Sequence, residues 1–275
     1  MDPTSHYDSV VEAWGELMGD DLHYGYFASE DENLADATAA LTQLLVKLAQ
    51  PSANEQVLDI GCGTGNAACV MAQNRGCSVT GISPSQACIN SATRRAQAFG
   101  LDHKAVFQIG DGTAPNFADE SFDLVWIMES SHLMENKAAL LAESARVLKP
   151  GGRLVLCDII SRRKLSLAEV IEHRDPFLLL MEVFGRAKME TLDFYRDHLQ
   201  AAGMASITLR DISAQTRPTF AHWRRNADSF AGTLQGNFDS LALEQFNRSC
   251  EVLEQFWDKD ILGYGLISAH KPYPG

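Results

Sequence analysis

The stretch "VLDIGCGTGN", Val57 to Asn66, constrains this chain more than any other: an apolar run is interrupted by an acid, Asp59, and three glycines then fall within five positions. Gly61, Gly63 and Gly65 strip side chains from a strand-to-helix turn. Backbone can then come close to a ligand, and the free N–H groups of the following helix face an anionic group. The spacing is G-x-G-x-G, not the G-x-G-x-x-G of dinucleotide sites. A carboxylate ahead of the turn repels a pyrophosphate and holds an ammonium, so these residues favour a ligand with an amino-acid end over NAD.

Such a turn needs a sheet behind it, and the chain supplies the pattern. Strand-length apolar runs recur at "QVLDI", "SVTGI", "AVFQIG", "FDLVWIM" and "RLVLCDI", with "SITLRDI" and "YGLISAH" later. Between them, "NAACVMAQN", "SQACINSATRRAQAFG" and "KAALLAESARVLKPGG" carry helical periodicity, the last ending at a Pro-Gly-Gly break. This alternation predicts a seven-stranded, mostly parallel α/β sheet covered by helices. Two helical blocks interrupt it, 162–188 and 218–260. Insertions at the strand ends of such sheets form pocket walls and lids, although a sheet cap or a homo-oligomer contact fits the same pattern. The expected organisation is a helical cap over 1–50, a core over 51–160, a lid insertion over 161–190, and the rest of the sheet with its inserted block over 191–275, all one compact domain.

Charge narrows the partners. Of 275 residues, 36 are acidic and 23 basic, a formal net charge of -13, which argues against a protein that grips phosphate backbones. Nucleic acid is excluded as the expected partner. The six cysteines sit singly in apolar stretches without metal-ligand spacing, which predicts buried thiols and no metal site. The opening "MDPTSHYDS" is acidic and polar, and no apolar run reaches bilayer length, so the expectation is a cytoplasmic chain without membrane insertion.

"VLDIGCGTGNAACVMA", "GDGTAPNFADESFDLVWIMES" and "ALLAESARVLKPGGRLVLCDI" together resemble the motifs of the class I S-adenosylmethionine (SAM) dependent methyltransferases, in register from Gln56 to Ile160. The resemblance implies SAM as cofactor. It places Asp59, Gly61 and Gly63 at the methionine end of SAM, with Asp111, Gly112 and Thr113 at the adenine. At the end of the second strand many members carry an acid for the ribose, whereas this chain has "GISPSQ". The branch containing tocopherol methyltransferases and antibiotic sugar O-methyltransferases has similar wording, which implies that Ser83 and Gln86 handle the ribose; a weakened cofactor site is the alternative. "LHYGYF", Leu22 to Phe27, also recurs there. It would bring Tyr24 and Tyr26 to the cofactor, or else serve as a packing staple.

Methylating an alcohol requires a base, because the oxygen must lose its proton as the new bond forms. In "MESSHLMENK", His132 follows the fourth strand, and Asp158 ends the fifth, which would put both at the cofactor's edge of the sheet, with Asp158 fixing the imidazole tautomer. In the antibiotic sugar O-methyltransferases that this sequence resembles, a His and an Asp at these positions form the proposed catalytic pair. Glu129 would touch the cofactor amino group or the substrate. His6, His23, His103, His173, His198, His222 and His270 have no comparable context. The expected activity is O-methylation of a small-molecule natural product of sugar or polyketide type, with an apolar hydroxylated acceptor. Transfer to carbon or nitrogen, or a cyclisation that merely keeps SAM, is the alternative.

Overall fold

The computed structural model describes residues 18, 23–29, 31–231 and 240–275. Leu22 and His6, both named above, lie outside them. The chain forms two compact units, one of Thr42–Ile159, Leu192–Asp211 and Gly265–Gly275, the other of Met1–Leu41, Ile160–Thr191 and Ile212–Tyr264. Helix α1 (Leu34–Ala49) runs through the division between them.

The first unit is built on the expected seven-stranded sheet. Its strands are β1 (Gln56–Ile60), β2 (Ser78–Ser83), β3 (Ala105–Ile109), β4 (Phe122–Met128), β5 (Leu148–Ser161), β6 (Ala205–Asp211) and β7 (Leu262–His270), in the order β3-β2-β1-β4-β5-β7-β6. The pairs β1–β2, β1–β4, β2–β3 and β4–β5 are parallel, and β6–β7 is antiparallel. Strands sealed on both faces show unbroken apolar runs, and Leu124, Val125, Trp126 and Ile127 of β4 are all fully buried. Helices α2 (Asn66–Arg75), α3 (Gln86–Ala98) and α4 (Lys137–Val147) make the connections. The Ser85 hydroxyl caps α3 by accepting the Cys88 N–H at 3.0 Å, and α2 stops at Gly76 in the left-handed region.

Strand order reverses between β1 and β4, the place where sheets of this kind open a crevice at their carboxyl ends. Register brings the relevant residues there. Ile60 pairs with Ile127, and Ile127 with Leu156, so Cys62, Glu129 and Asp158 each lie two residues beyond one line across the sheet.

Helix α4 ends at Val147, ahead of the Pro-Gly-Gly segment, but β5 begins five residues before its expected run "RLVLCDI": Leu148 pairs with Phe122, the register shifts, and Arg153 pairs with Leu124. Gly151 takes φ +79° there, and its N–H donates to the Lys271 carbonyl, so the segment forms a bulge.

The second unit is helical. It contains α5 (Leu167–Glu172) and α6 (Arg174–Phe184), then, beyond α7 (Leu192–Ala201) of the first unit, α8 (Ser213–Thr216), α9 (Thr219–Ala231) and α10 (Ser240–Asp258). The stretch expected as a lid is therefore two helices. A capping box at Ser166 and Glu169 starts α5, and His173 separates it from α6. Phe177 of α6 packs on Phe256 at 4.8 Å, and Phe184 on Phe246 at 6.0 Å. Among the described residues, no helix is long and apolar enough to cross a membrane.

Candidate functional site

The turn after β1 uses its three glycines in different ways. Gly61, Gly63 and Gly65 all have positive φ, at +78°, +50° and +79°. The N–H groups of Gly61 and Cys62 both donate to the Ile82 carbonyl, which clips the turn to β2. A Cβ on Gly61 would lie 2.2 Å from Ser130 Cβ, and one on Gly65 would lie 2.7 Å from Ala92 Cβ. Packing alone forbids side chains at these two positions. At Gly63 nothing lies within 4 Å of that point, so this is the glycine whose bare backbone faces open space.

Asp59 stands just ahead of the turn with only 2% of its surface exposed. Its Oδ2 is buried without a hydrogen-bond partner, and burial pushes the carboxyl up to about 7. A buried carboxylate oxygen left unpaired is costly, and an arriving ammonium would remove that cost.

The residues expected near ribose and adenine share the ends of β2 and β3. Ser83 is buried and pairs with Ile109; its hydroxyl accepts the Ser85 N–H at 3.2 Å, which shapes the turn into α3. Gln86, exposed on the first turn of α3, donates to Asn90 Oδ1. The N–H and hydroxyl of Thr113 both donate to Asp111 Oδ1 at 2.8 Å, so these two residues form one exposed turn. Gly112 is a packing glycine, since a Cβ there would meet Ile60 Cγ2 at 2.3 Å. Tyr24 belongs to the helical unit, where its ring is buried against Phe220, Trp223, Trp257 and Tyr264.

The catalytic candidates do come together. Beyond β4, Glu129 holds φ +48°, an unusual conformation for a residue with a side chain, and its N–H donates to the Cys157 carbonyl of β5. A short 3₁₀ helix, Ser131–Leu133, follows and carries His132 onto the end of β5. His132 Nδ1 lies 2.6 Å from Asp158 Oδ1, and the His132 backbone N–H donates to Asp158 Oδ2 at 2.9 Å. The Ser131 hydroxyl also donates to Oδ2, at 2.5 Å, and the Ile159 N–H to Oδ1, at 2.8 Å.

Asp158 is fully buried, which alone would push its carboxyl up. The charge and hydrogen bond of His132, with donors from Ser131 and the His132 backbone, outweigh burial and hold it below the ordinary carboxylate value. For His132, burial works downward, and the charge and hydrogen bond of Asp158, joined by the charge of Glu129, raise the imidazole above its ordinary value against an opposing Lys137. A carboxylate that accepts four hydrogen bonds stays ionised, so the proton between the two side chains sits on Nδ1 and Nε2 carries the lone pair. Nε2 makes no hydrogen bond among the described residues, and the side chain keeps 15% of its surface exposed. Sequence reasoning missed Ser131 and Tyr195, whose hydroxyls lie 2.8 Å apart. Nothing local to either residue signals it, because α7 brings Tyr195 from 64 positions away.

A parallel sheet with a glycine turn at its switch point and an unpaired acid beside that turn defines a cofactor-binding α/β protein. Residues 58–156 match the methyltransferase domain family. The chain is 34% identical over 267 residues to the 27-O-demethylrifamycin SV methyltransferase of Amycolatopsis mediterranei strain S699, which covers 97% of this chain and 95% of that protein. It is 26% identical to the chloroplastic tocopherol O-methyltransferase of Arabidopsis thaliana, over 97% of this chain and 80% of the relative. Among solved structures, the cyclase SpnF shares the fold with a TM-score of 0.82 and 24% identity, covering 98% and 96% of the two chains. The chain belongs to the SAM-dependent methyltransferases, and SAM is its cofactor. The open backbone at Gly63 and the unpaired Oδ2 of Asp59 fit the amino-acid end of that cofactor.

Proposed function

We propose that this methyltransferase acts on a hydroxyl of a small-molecule natural product, sugar or polyketide in type, with His132 as the general base and Asp158 as the residue that orients it. When bound, SAM supplies a methyl group made electrophilic by a positively charged sulfur. Asp59 and the Gly61–Gly63 backbone would hold its amino-acid end. Ser83 with Gln86 would serve the ribose, and Asp111, Gly112 and Thr113 the adenine, with Glu129 toward the cofactor amino group or the substrate.

The residues of the pair supply what an alcohol requires. A hydroxyl becomes a competent nucleophile only as its proton leaves, and Nε2 of His132 holds the lone pair that accepts it. Asp158 keeps the opposite nitrogen protonated and stabilises the imidazolium that forms. The single observation carrying this reading is that pair, with Nδ1 anchored and Nε2 open. It is further supported by relatives whose names place their chemistry at oxygen.

The second reading is transfer to carbon or nitrogen, or a cyclisation; the cyclase with the same fold favours keeping it in view. An amine or alkene needs no base of this kind. His132→Ala, assayed for labelled methyl transfer to hydroxylated acceptors, is expected to lose about 10²–10⁴ in kcat while still binding S-adenosylhomocysteine. Unchanged turnover would overturn the general-base reading in favour of the second.

A further inference from the structure

Asp158 does not hold His132 unaided. Its Oδ2 accepts the Ser131 hydroxyl at 2.5 Å, and the same Ser131 oxygen lies 2.8 Å from the hydroxyl of Tyr195, in α7. All three side chains are buried, Ser131, Asp158 and Tyr195 each at 0% exposure. The direction of this chain follows from proton counting. An ionised carboxylate only accepts, so the single proton of Ser131 points at Asp158, and the Ser131 oxygen is left to accept from Tyr195. Tyr195 therefore donates to Ser131, Ser131 donates to Asp158, and Asp158 accepts from His132 Nδ1. Each carboxyl oxygen of Asp158 accepts one backbone N–H, from His132 at Oδ2 and from Ile159 at Oδ1, and these donors with the His132 charge favour the ionised form.

We propose that Ser131 and Tyr195 are positioning residues for methyl transfer: their two hydroxyls, ordered in one direction, fix the Asp158 carboxylate and thereby set the pH range over which His132 is free to act as a base. The proposal rests on His132 being that base and adds two residues, neither of which touches the reacting atoms. Each donor withdrawn from Asp158 leaves more negative charge facing Nδ1, which strengthens the hold on the imidazolium proton. The other charged groups facing His132 are Glu129 beyond β4, which acts in the same sense as Asp158, and Lys137 on α4, which opposes it. None of these is altered by removing either hydroxyl. The sign is therefore defined: weakening the chain moves His132 titration toward alkaline pH.

The test reads the imidazole itself, by NMR titration of His132 in the ligand-free protein, alongside the pH profile of kcat/KM. Ser131→Ala is expected to move both midpoints upward by about one pH unit. Ser131→Cys, a weaker donor of similar size, should move them less. Tyr195→Phe keeps the ring in its buried site and should give the smallest shift of the same sign, which keeps the test decisive if the serine variants fold poorly. His132 titration unchanged in Tyr195→Phe and in the folded serine variants, or a shift toward acid, would overturn the proposal. Turnover that survives His132→Gln would instead overturn the base reading on which it rests, a separable failure because the NMR shifts would persist.

Discussion

Asp59 and Asp158 are both acids buried at the carboxyl edge of one parallel sheet, and they are held in opposite ways. Asp158 accepts four hydrogen bonds and is kept below the ordinary carboxylate value, whereas Asp59 has an oxygen with no partner and is pushed up to about 7. The environment around Asp158 is complete within the chain. That around Asp59 is not, and on the proposed reading an ammonium supplies what burial has removed. On that reading the proposed catalytic partner is ready before the substrate arrives, while the proposed binding carboxylate is left unsatisfied until its ligand completes it.

The largest effect expected from breaking this contrast is at Asp158. Asp158→Asn removes the charge that fixes the His132 tautomer, and kcat should fall by about 10²–10⁴ with S-adenosylhomocysteine affinity retained by calorimetry. Losing one partner of a buried pair should also cost about 3–5 kcal/mol of stability, readable in denaturant melts.

Asp59→Asn should act in the reverse sense on stability. A carboxyl whose folded value rises from 3.8 to about 7 destabilises the ligand-free protein progressively across that window, and at about 1.4 kcal/mol per pH unit the loss above pH 7 is on the order of 4 kcal/mol. The substitution should therefore raise the melting temperature at pH 8 and not at pH 4, while weakening binding of S-adenosylhomocysteine. A variant melting no higher than the parent at pH 8 would mean that Asp59 is paired.

Two glycines give a smaller and finer comparison. Gly61→Ala meets both a left-handed φ and the Ser130 side chain, and should destabilise by about 3 kcal/mol. Gly63→Ala meets only the φ, should cost about 1–2 kcal/mol, and should instead lower cofactor affinity, because its Cβ enters the open side of the turn. The smallest effect is the pH profile of the unaltered enzyme. The base must be neutral and His132 is raised above its ordinary value, so kcat/KM should climb with a midpoint above about 6.5. The stabilisation that the His132–Asp158 pair gives the fold is present below the unfolded imidazole's value and lost as pH rises through the folded one.

What the sequence made legible follows from which interactions are local. Each of the seven strand runs is a strand, and the central ones are the plainest, because parallel strands buried on both faces leave near-continuous apolar stretches, as in "FDLVWIM". The pairing of His132 with Asp158 was readable because His132 follows β4, Asp158 lies near the end of β5, which runs three residues past it, and the sheet order makes those strands neighbours. The reason for Gly61 was not, since the side chain that forbids a Cβ there is Ser130, from a strand end roughly 70 residues on. Ser131 and Tyr195 were hidden for the same reason. The early start of β5 was hidden because the Pro-Gly-Gly composition that follows the end of a helix also makes a bulge, and only pairing with Phe122 shows the strand there.

The division of the chain into two units carries a consequence for descent. His132, Asp158, Ser131, Tyr195, Asp59 and the glycines after β1 all belong to the sheet unit, while α5, α6, α9 and α10 belong to the other. Substitutions in those helices leave the residues of the proposed acid–base pair and its supports unaltered, so this architecture separates what a lineage can vary from what that chemistry would need.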